Sequence, residues 1–121
     1  MPNTSEDLDQ HRLIVYGNDS RPPVPDVNWL LRAGRKGRSV RQADLTVNNT
    51  YAVMRAVRNG AGVGALPAFM AQDGEGLVHI LPELTGPQID AYFVYPEELR
   101  ASKRITVFRD FLLRQVAQSN F

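Results

Sequence analysis

The residue types that most often perform catalysis are present in this sequence, but they are not spaced as catalysis requires. Neither His11 nor His79 has a carboxylate at the spacing of a metal site or a catalytic triad, and two histidines alone make a poor zinc site. No serine lies in a Gly-x-Ser-x-Gly turn, and cysteine is absent. Glu97 and Glu98 follow Pro96, where carboxylates favour a helix start over an acid–base pair. We therefore predict that the protein is not an enzyme and holds neither a metal nor a cofactor.

Residues suited to binding stand at one predicted helix start. Asn48, Asn49 and Thr50 are helix-capping types, and they lie between a predicted strand over Asp44–Val47 and a predicted helix over Tyr51–Asn59. A helix N-terminus carries unpaired backbone N–H groups and a partial positive charge, which suit a small anion or a polar ligand. We expect Asn49 or Thr50 to exchange hydrogen bonds with such a ligand.

The segment after this helix completes a β-α-β unit. Gly60 is expected to end the helix, and Val63–Leu66 is a second predicted strand, stopped by Pro67. The glycines here do not form a phosphate loop, because no Gly-Lys-Ser/Thr follows and they lead from a helix into a strand. We favour close backbone packing as their role, with the backbone beside Gly64 and Ala65 still able to line a pocket.

The predicted ligand site is an edge of a sheet. Tyr16 ends another predicted strand, Leu13–Tyr16, and in a parallel sheet its carboxyl end lies beside those of the β-α-β unit. The turn residues Asn18, Asp19 and Ser20 follow it, and they are also explained as a plain turn. The predicted ligand-binding residues are Tyr16, Asn48, Asn49, Thr50, Gly64 and Ala65.

The remaining pattern predicts an α/β fold with a mostly parallel sheet, because strands alternate with helices. We expect further strands at Val27–Leu31, Leu77–Leu81 and Ala91–Tyr95. We expect helices near Ser5, at Ala68–Gln72 and at Ser102–Gln118. The last helix has a predicted buried stripe of Ile105, Phe108, Phe111, Leu112 and Val116.

Composition is that of an ordinary soluble domain. The chain has 121 residues, 43% hydrophobic and 22% charged, with a formal net charge of +1. This charge gives no general attraction to nucleic acid or to an acidic membrane. No export signal or apolar run of about 20 residues is visible, so we predict a cytoplasmic protein without membrane contact.

One basic loop departs from this balance. Residues 32–42 hold Arg32, Arg35, Lys36, Arg38 and Arg41 without an acid. A phosphate-contacting patch is one interpretation. The alternative, which we favour, is a solvated loop or a groove for an acidic partner, because no aromatic residues interleave to stack on bases.

Four stretches, in this order and spacing, resemble the effector-binding domain of LysR-type transcriptional regulators. They are EDLDQHRLIVYG (Glu6–Gly17), LTVNNTYAVMRAVRNGAGVGALPAFMA (Leu45–Ala71), GLVHILPEL (Gly76–Leu84) and FVYPEELRASKRITVFRDFL (Phe93–Leu112). The resemblance implies one lobe of a type II periplasmic-binding-protein-like fold, plus a C-terminal crossover strand and helix. It implies an effector-sensing regulatory domain fragment that binds a small polar or anionic molecule in the parent protein.

The resemblance also divides the chain. Residues 1–10 would be an N-terminal tail and short helix, 11–85 the second lobe of the effector-binding domain, and 86–121 a hinge crossover, strand and C-terminal helix of the first lobe. The family's winged helix-turn-helix and the rest of the first lobe have no counterpart here, so we expect DNA contact only through a domain absent from this chain. The C-terminal helix would lack its first-lobe partner, and we expect it to pack on the second lobe or to pair two chains into a homo-oligomer.

Three other functions stay open at this point. A solute-binding protein of a transport system shares the lobe architecture, although an export signal and a lipidation cysteine are missing. An enzyme would need a nucleophile with a paired base. A pure dimerisation module would need only the C-terminal helix.

Overall fold

A computed structural model describes residues 1–17, 25–37, 39–72, 76–88 and 90–118. The chain forms two compact units, Met1–Gln88 and Ile89–Phe121. The division into three segments at residues 10 and 85 stays a prediction.

The first unit is built on a parallel sheet of three short strands in the order β2-β1-β3. These strands are β1 (Leu13–Tyr16), β2 (Leu45–Val47) and β3 (Val63–Gly64). Leu13, Ile14 and Val15 are buried, as expected for a central strand covered on both faces. The described part of the chain is therefore mixed α/β with a parallel sheet, as the sequence pattern predicted.

The helix between β2 and β3, α1 (Thr50–Arg58), forms where the sequence placed it. The Asn49 side chain accepts a hydrogen bond from the amide of Ala52 at 2.8 Å, which caps the helix start. Gly60 has a φ of 81°, a left-handed conformation that glycine adopts without strain, and the helix has ended by this residue. The second short helix, α2 (Ala68–Gln72), follows Pro67 as predicted.

The core of this unit draws on residues far apart in the chain. Leu8, Leu13, Leu30 and Leu81 form one buried cluster. Leu8 comes from a 3₁₀ helix over Ser5–Gln10, the short helix expected near Ser5, which thus contributes a side chain to the core. The carboxylate of Asp7 accepts hydrogen bonds from the amides of Asn3 and Thr4. Thr4 is therefore the residue that caps this helix, and Ser5 is its first helical residue.

The strand predicted over Val27–Leu31 is wrong. This segment is a turn followed by a 3₁₀ helix over Trp29–Leu31, with Leu30 buried. The side chain of Asn28 explains the difference, because it accepts from the Tyr16 amide at 2.9 Å and donates to the Tyr16 carbonyl at 2.8 Å. A single amide side chain thus satisfies backbone groups that a neighbouring strand would otherwise satisfy.

The strands predicted over Leu77–Leu81 and Ala91–Tyr95 are also wrong, since neither segment joins the sheet. Leu81 has a φ of 49°, which a strand does not allow, and its side chain turns into the core. In the second segment Phe93 packs its ring 5.7 Å from the rings of Tyr95 and Phe108. Both segments contain apolar residues that favour strands, but the packing of their side chains gives the backbone a different conformation.

The long helix of the second unit is α3 (Lys103–Gln118), and all of it is described. The prediction that its stripe is buried is wrong. Ile105 and Leu112 are half-buried, while Phe108, Phe111 and Val116 are each about half exposed. A unit this short has too few residues to cover a helix of this length.

Candidate functional site

The carboxyl ends of the strands meet at one edge of the sheet, here called the carboxyl edge. Tyr16 pairs with Val47, and the Gly17 amide donates to the Val47 carbonyl at 2.9 Å. Gly64, the last residue of β3, pairs with Ile14, so β3 ends two residues before the end of β1. The structure thus places Tyr16 beside the strand that leads into Asn48 and α1, and Gly64 further back along β1. That these residues form one ligand site stays a prediction.

The start of α1 faces this edge with part of its hydrogen bonding already used. Asn49 is the helix cap, and its amide group also donates to Asn48 Oδ1 at 3.0 Å. Among the described residues, the amides of Thr50 and Tyr51 have no hydrogen-bond acceptor. Thr50 is half-buried. These two amides and the Thr50 hydroxyl are the groups of the helix start that remain available to a ligand.

Two predicted site residues also have structural roles. A methyl group added to Gly64 would lie 2.8 Å from Val53 Cγ1 and 2.9 Å from Val57 Cγ2, so this glycine allows α1 to pack closely on β3. The backbone of Tyr16 is occupied by Asn28, which leaves its half-buried side chain for a ligand. Ala65 is half-buried at the end of β3.

Some predictions fall outside the described residues. These are the turn residues Asn18, Asp19 and Ser20, and Arg38 of the basic loop. Within the described ranges there is no group of three His, Asp or Glu side chains that could hold a metal ion. No helix in the same ranges is long and apolar enough to cross a membrane.

The basic loop is mostly paired with acids. Arg32 forms an ion pair with Asp26, and Arg35 Nη2 lies 3.2 Å from Asp9 Oδ1. Arg41 Nε donates to the same oxygen of Asp9 at 2.5 Å, and its side chain is only 4% exposed. The hydrogen bond from Arg41, with a second from Arg35, holds the pKa of the Asp9 carboxyl below its usual value. Three cations of the loop are therefore paired within the chain, which argues against the phosphate-contacting patch.

The guanidinium of Arg41 joins three segments of the chain. Its remaining N–H groups donate to backbone carbonyls of Ser5, Leu30 and Ala33. An arginine with this many fixed acceptors is a structural element, which its place in a run of basic residues does not reveal.

An open cavity of about 320 Å³ lies next to this cluster, at the opposite edge of the sheet. We call it the amino-edge cavity, because it is lined by Leu13 at the start of β1 and by Asp44 just before β2. Arg12, Arg35 and Arg41 also line it. No sequence motif connects the residues that line this cavity, which are 8–13, 35, 41, 42 and 44.

Comparison with known protein families decides the affiliation of this α/β unit. Residues 1–117 match the model of the LysR substrate binding domain. The chain belongs to the LysR substrate binding domain family. This bears out the family resemblance in the sequence, and it accounts for the β-α-β unit with an amide-lined helix start.

Relatives of this LysR substrate binding domain include two regulators. An uncharacterized HTH-type transcriptional regulator of Haemophilus influenzae is 28% identical over 111 residues, which cover 88% of this chain and 37% of the relative. The HTH-type transcriptional regulator PtxR of Pseudomonas aeruginosa is 33% identical over 97 residues, covering 77% of this chain and 31% of the relative. The chain thus spans about a third of the length of these curated relatives. No solved structure matches the chain.

Proposed function

We propose that this LysR substrate binding domain senses a small effector for a bacterial transcription regulator. The family match and the two relatives named as HTH-type transcriptional regulators support a regulatory role over the transport alternative. The single observation that carries the proposal is the pair of unpaired amides of Thr50 and Tyr51 at the carboxyl edge.

The proposed architecture is one lobe of a periplasmic-binding-protein-like fold. Residues 11–85 form the second lobe, with the parallel sheet as its centre. Residues 86–121 are the crossover segment and the helix α3 that belong to the first lobe. The exposed aromatic side chains of α3 support this assignment, because their burial against further structure would stabilise the parent by roughly 1.5–3 kcal/mol each.

The effector we propose is polar or carries one carboxylate. None of the six proposed residues has a charged side chain, so hydrogen bonds from the Thr50 and Tyr51 amides would hold the anion, assisted by the α1 dipole. The Thr50 hydroxyl and the Asn48 side chain would select among ligands by hydrogen bonding. The half-buried ring of Tyr16 would cover an apolar part of the effector.

Effector binding would regulate by shifting a conformational equilibrium. An effector held between two lobes favours the closed arrangement by its difference in affinity for the closed and open states. In the cytoplasmic parent we propose that this shift changes subunit contacts in a homo-oligomer, and through them the contacts of a separate DNA-binding domain.

A pair of threonine variants tests the site. Small monocarboxylates, with acetate and benzoate as the first probes, are titrated into the ¹⁵N-labelled chain while amide shifts are recorded. We expect saturable shifts at residues 16–17 and 48–51, and Thr50→Val to weaken binding about fivefold through the loss of one hydrogen bond. Thr46→Val, the same change on the exposed face of β2, should leave affinity unchanged.

Equal affinity in the two variants would remove Thr50 from the site. Shifts that saturate without any change at residues 48–51 would disprove the proposal that the α1 amides hold the effector.

A further inference from the structure

The amino-edge cavity is separate from the effector site proposed above. It borders Leu13, at the start of β1, whereas the effector site lies beyond Tyr16, at its end. A strand rises about 3.3 Å per residue, so roughly 10 Å of sheet separate the two edges. A ligand held by the Thr50 and Tyr51 amides therefore does not touch the residues that line the amino-edge cavity.

The floor of this cavity is fixed before any ligand arrives. Arg41 is held by the Asp9 carboxylate and three backbone carbonyls, and its side chain is 4% exposed. Arg35 donates to Asp9 and to the Ser39 carbonyl. A site whose side chains are already ordered loses little conformational entropy when it binds.

Above this floor, several polar groups have no partner among the described residues. The guanidinium of Arg12 makes no hydrogen bond. Asp44 uses one carboxylate oxygen to accept from the Leu13 amide at 2.9 Å, and its second oxygen is unused. Asp9 receives all its donors on Oδ1, which leaves Oδ2 unused. The cavity thus offers a cation and two carboxylate oxygens together.

The charges indicate the class of ligand. The fixed cations Arg35 and Arg41 balance the anions Asp9 and Asp44, and Arg12 adds one positive charge. A ligand that has both a carboxylate and an ammonium group matches Arg12 and the free oxygens at once, while a dianion or a dication does not. A volume of about 320 Å³ is at the lower end for ligand sites, which suits a small molecule.

We propose that the amino-edge cavity is a second ligand site that binds small α-amino acids, with Arg12 on the carboxylate and Asp9 or Asp44 on the ammonium group. Gln10 and Gln42 also line the cavity, and in this proposal their polar side chains contact the amino-acid side chain.

Three related compounds test this in an NMR titration of the ¹⁵N-labelled chain. L-Serine has both charged groups, N-acetyl-L-serine lacks the ammonium group and L-serinamide lacks the carboxylate. We expect saturable shifts at residues 9–13 and 42–44 with L-serine, and at least about tenfold weaker binding of the other two compounds. The same weakening is expected for L-serine with Arg12→Gln.

Arg55→Gln is the matched control, because it removes an exposed cation from α1 without touching the cavity. It should bind L-serine as the unaltered chain does. No saturable binding, equal binding of the three compounds, or full affinity in Arg12→Gln would overturn the proposal. Shifts confined to residues 16–17 and 48–51 would also overturn it while leaving the carboxyl-edge effector site intact.

Discussion

Replacing the buried arginine of the basic loop should destabilise the first unit strongly. In Arg41→Met, a side chain of similar length fills much of the space, but the carbonyls of Ser5, Leu30 and Ala33 lose the Arg41 donor. The Leu30 carbonyl keeps the Ala33 amide as a donor. Each buried acceptor left without a partner costs about 1–3 kcal/mol, and the open loop lets some of them recover water. We therefore expect a loss of about 3 kcal/mol in the free energy of unfolding, measured by urea denaturation followed by circular dichroism.

Two further variants separate the causes. Arg41→Lys keeps the charge but has one compact ammonium group that cannot reach all four acceptors, so we expect about half the loss. Arg55→Met removes an exposed arginine from α1 and should change the free energy of unfolding by no more than about 0.5 kcal/mol. If Arg41→Met and Arg55→Met lower the stability equally, Arg41 does not join the segments as we argue.

Two other predictions concern packing and pH. Gly64→Ala places a methyl 2.8 Å from Val53 Cγ1. The resulting overpacking should lower the free energy of unfolding by about 1–3 kcal/mol in the same denaturation assay. An unchanged free energy of unfolding would contradict the close approach of α1 to β3. Asp9 and Asp7 both have a pKa below the usual value, Asp9 chiefly because Arg41 donates to it and Asp7 because backbone amides donate to it. A lowered folded-state pKa gives stability that is full above the unfolded value near 4 and is lost as pH falls through the folded value, so the melting temperature should fall between about pH 4 and pH 2. A melting temperature that rises or stays level over this range would disprove that the two carboxylates stabilise the fold.

The β-α-β unit could be predicted because its determinants are local. The cap at Asn49 and the helix stop at Gly60 act on neighbouring residues, and both appear where the sequence predicts them. The strand predicted over Val63–Leu66 is shorter than expected, because β3 ends at Gly64, before Pro67. The parallel order of the sheet followed from the short helical connection between β2 and β3. The position of Tyr16 beside the strand that leads into α1 followed from this topology.

The errors arose where contacts between distant segments override local preference. VNWLL has strand-forming residues, but the Asn28 side chain takes the hydrogen-bonding positions beside Tyr16 and turns the chain into a 3₁₀ helix. LVHIL ends at Leu81, which has a left-handed backbone conformation. The burial of its side chain in the core offsets the energetic cost of this conformation. Neither contact can be read from the segment itself.

The basic loop shows why charge counting alone misjudged a surface. Its sequence presents five cations and no acid, yet Asp9, the one acid that pairs with both Arg35 and Arg41, lies in the N-terminal 3₁₀ helix, 26 and 32 residues before them. A phosphate could reach Arg41 only by displacing Asp9 and three backbone carbonyls. These acceptors belong to the same chain, so their hydrogen bonds to Arg41 do not carry the entropy cost of binding a second molecule. The pairing therefore turns an apparent nucleic-acid patch into the contact that fixes the N-terminal helix on the sheet. In the described part of the loop this leaves Lys36 as the cation without a partner, which is too little charge for phosphate binding to compete with the fold.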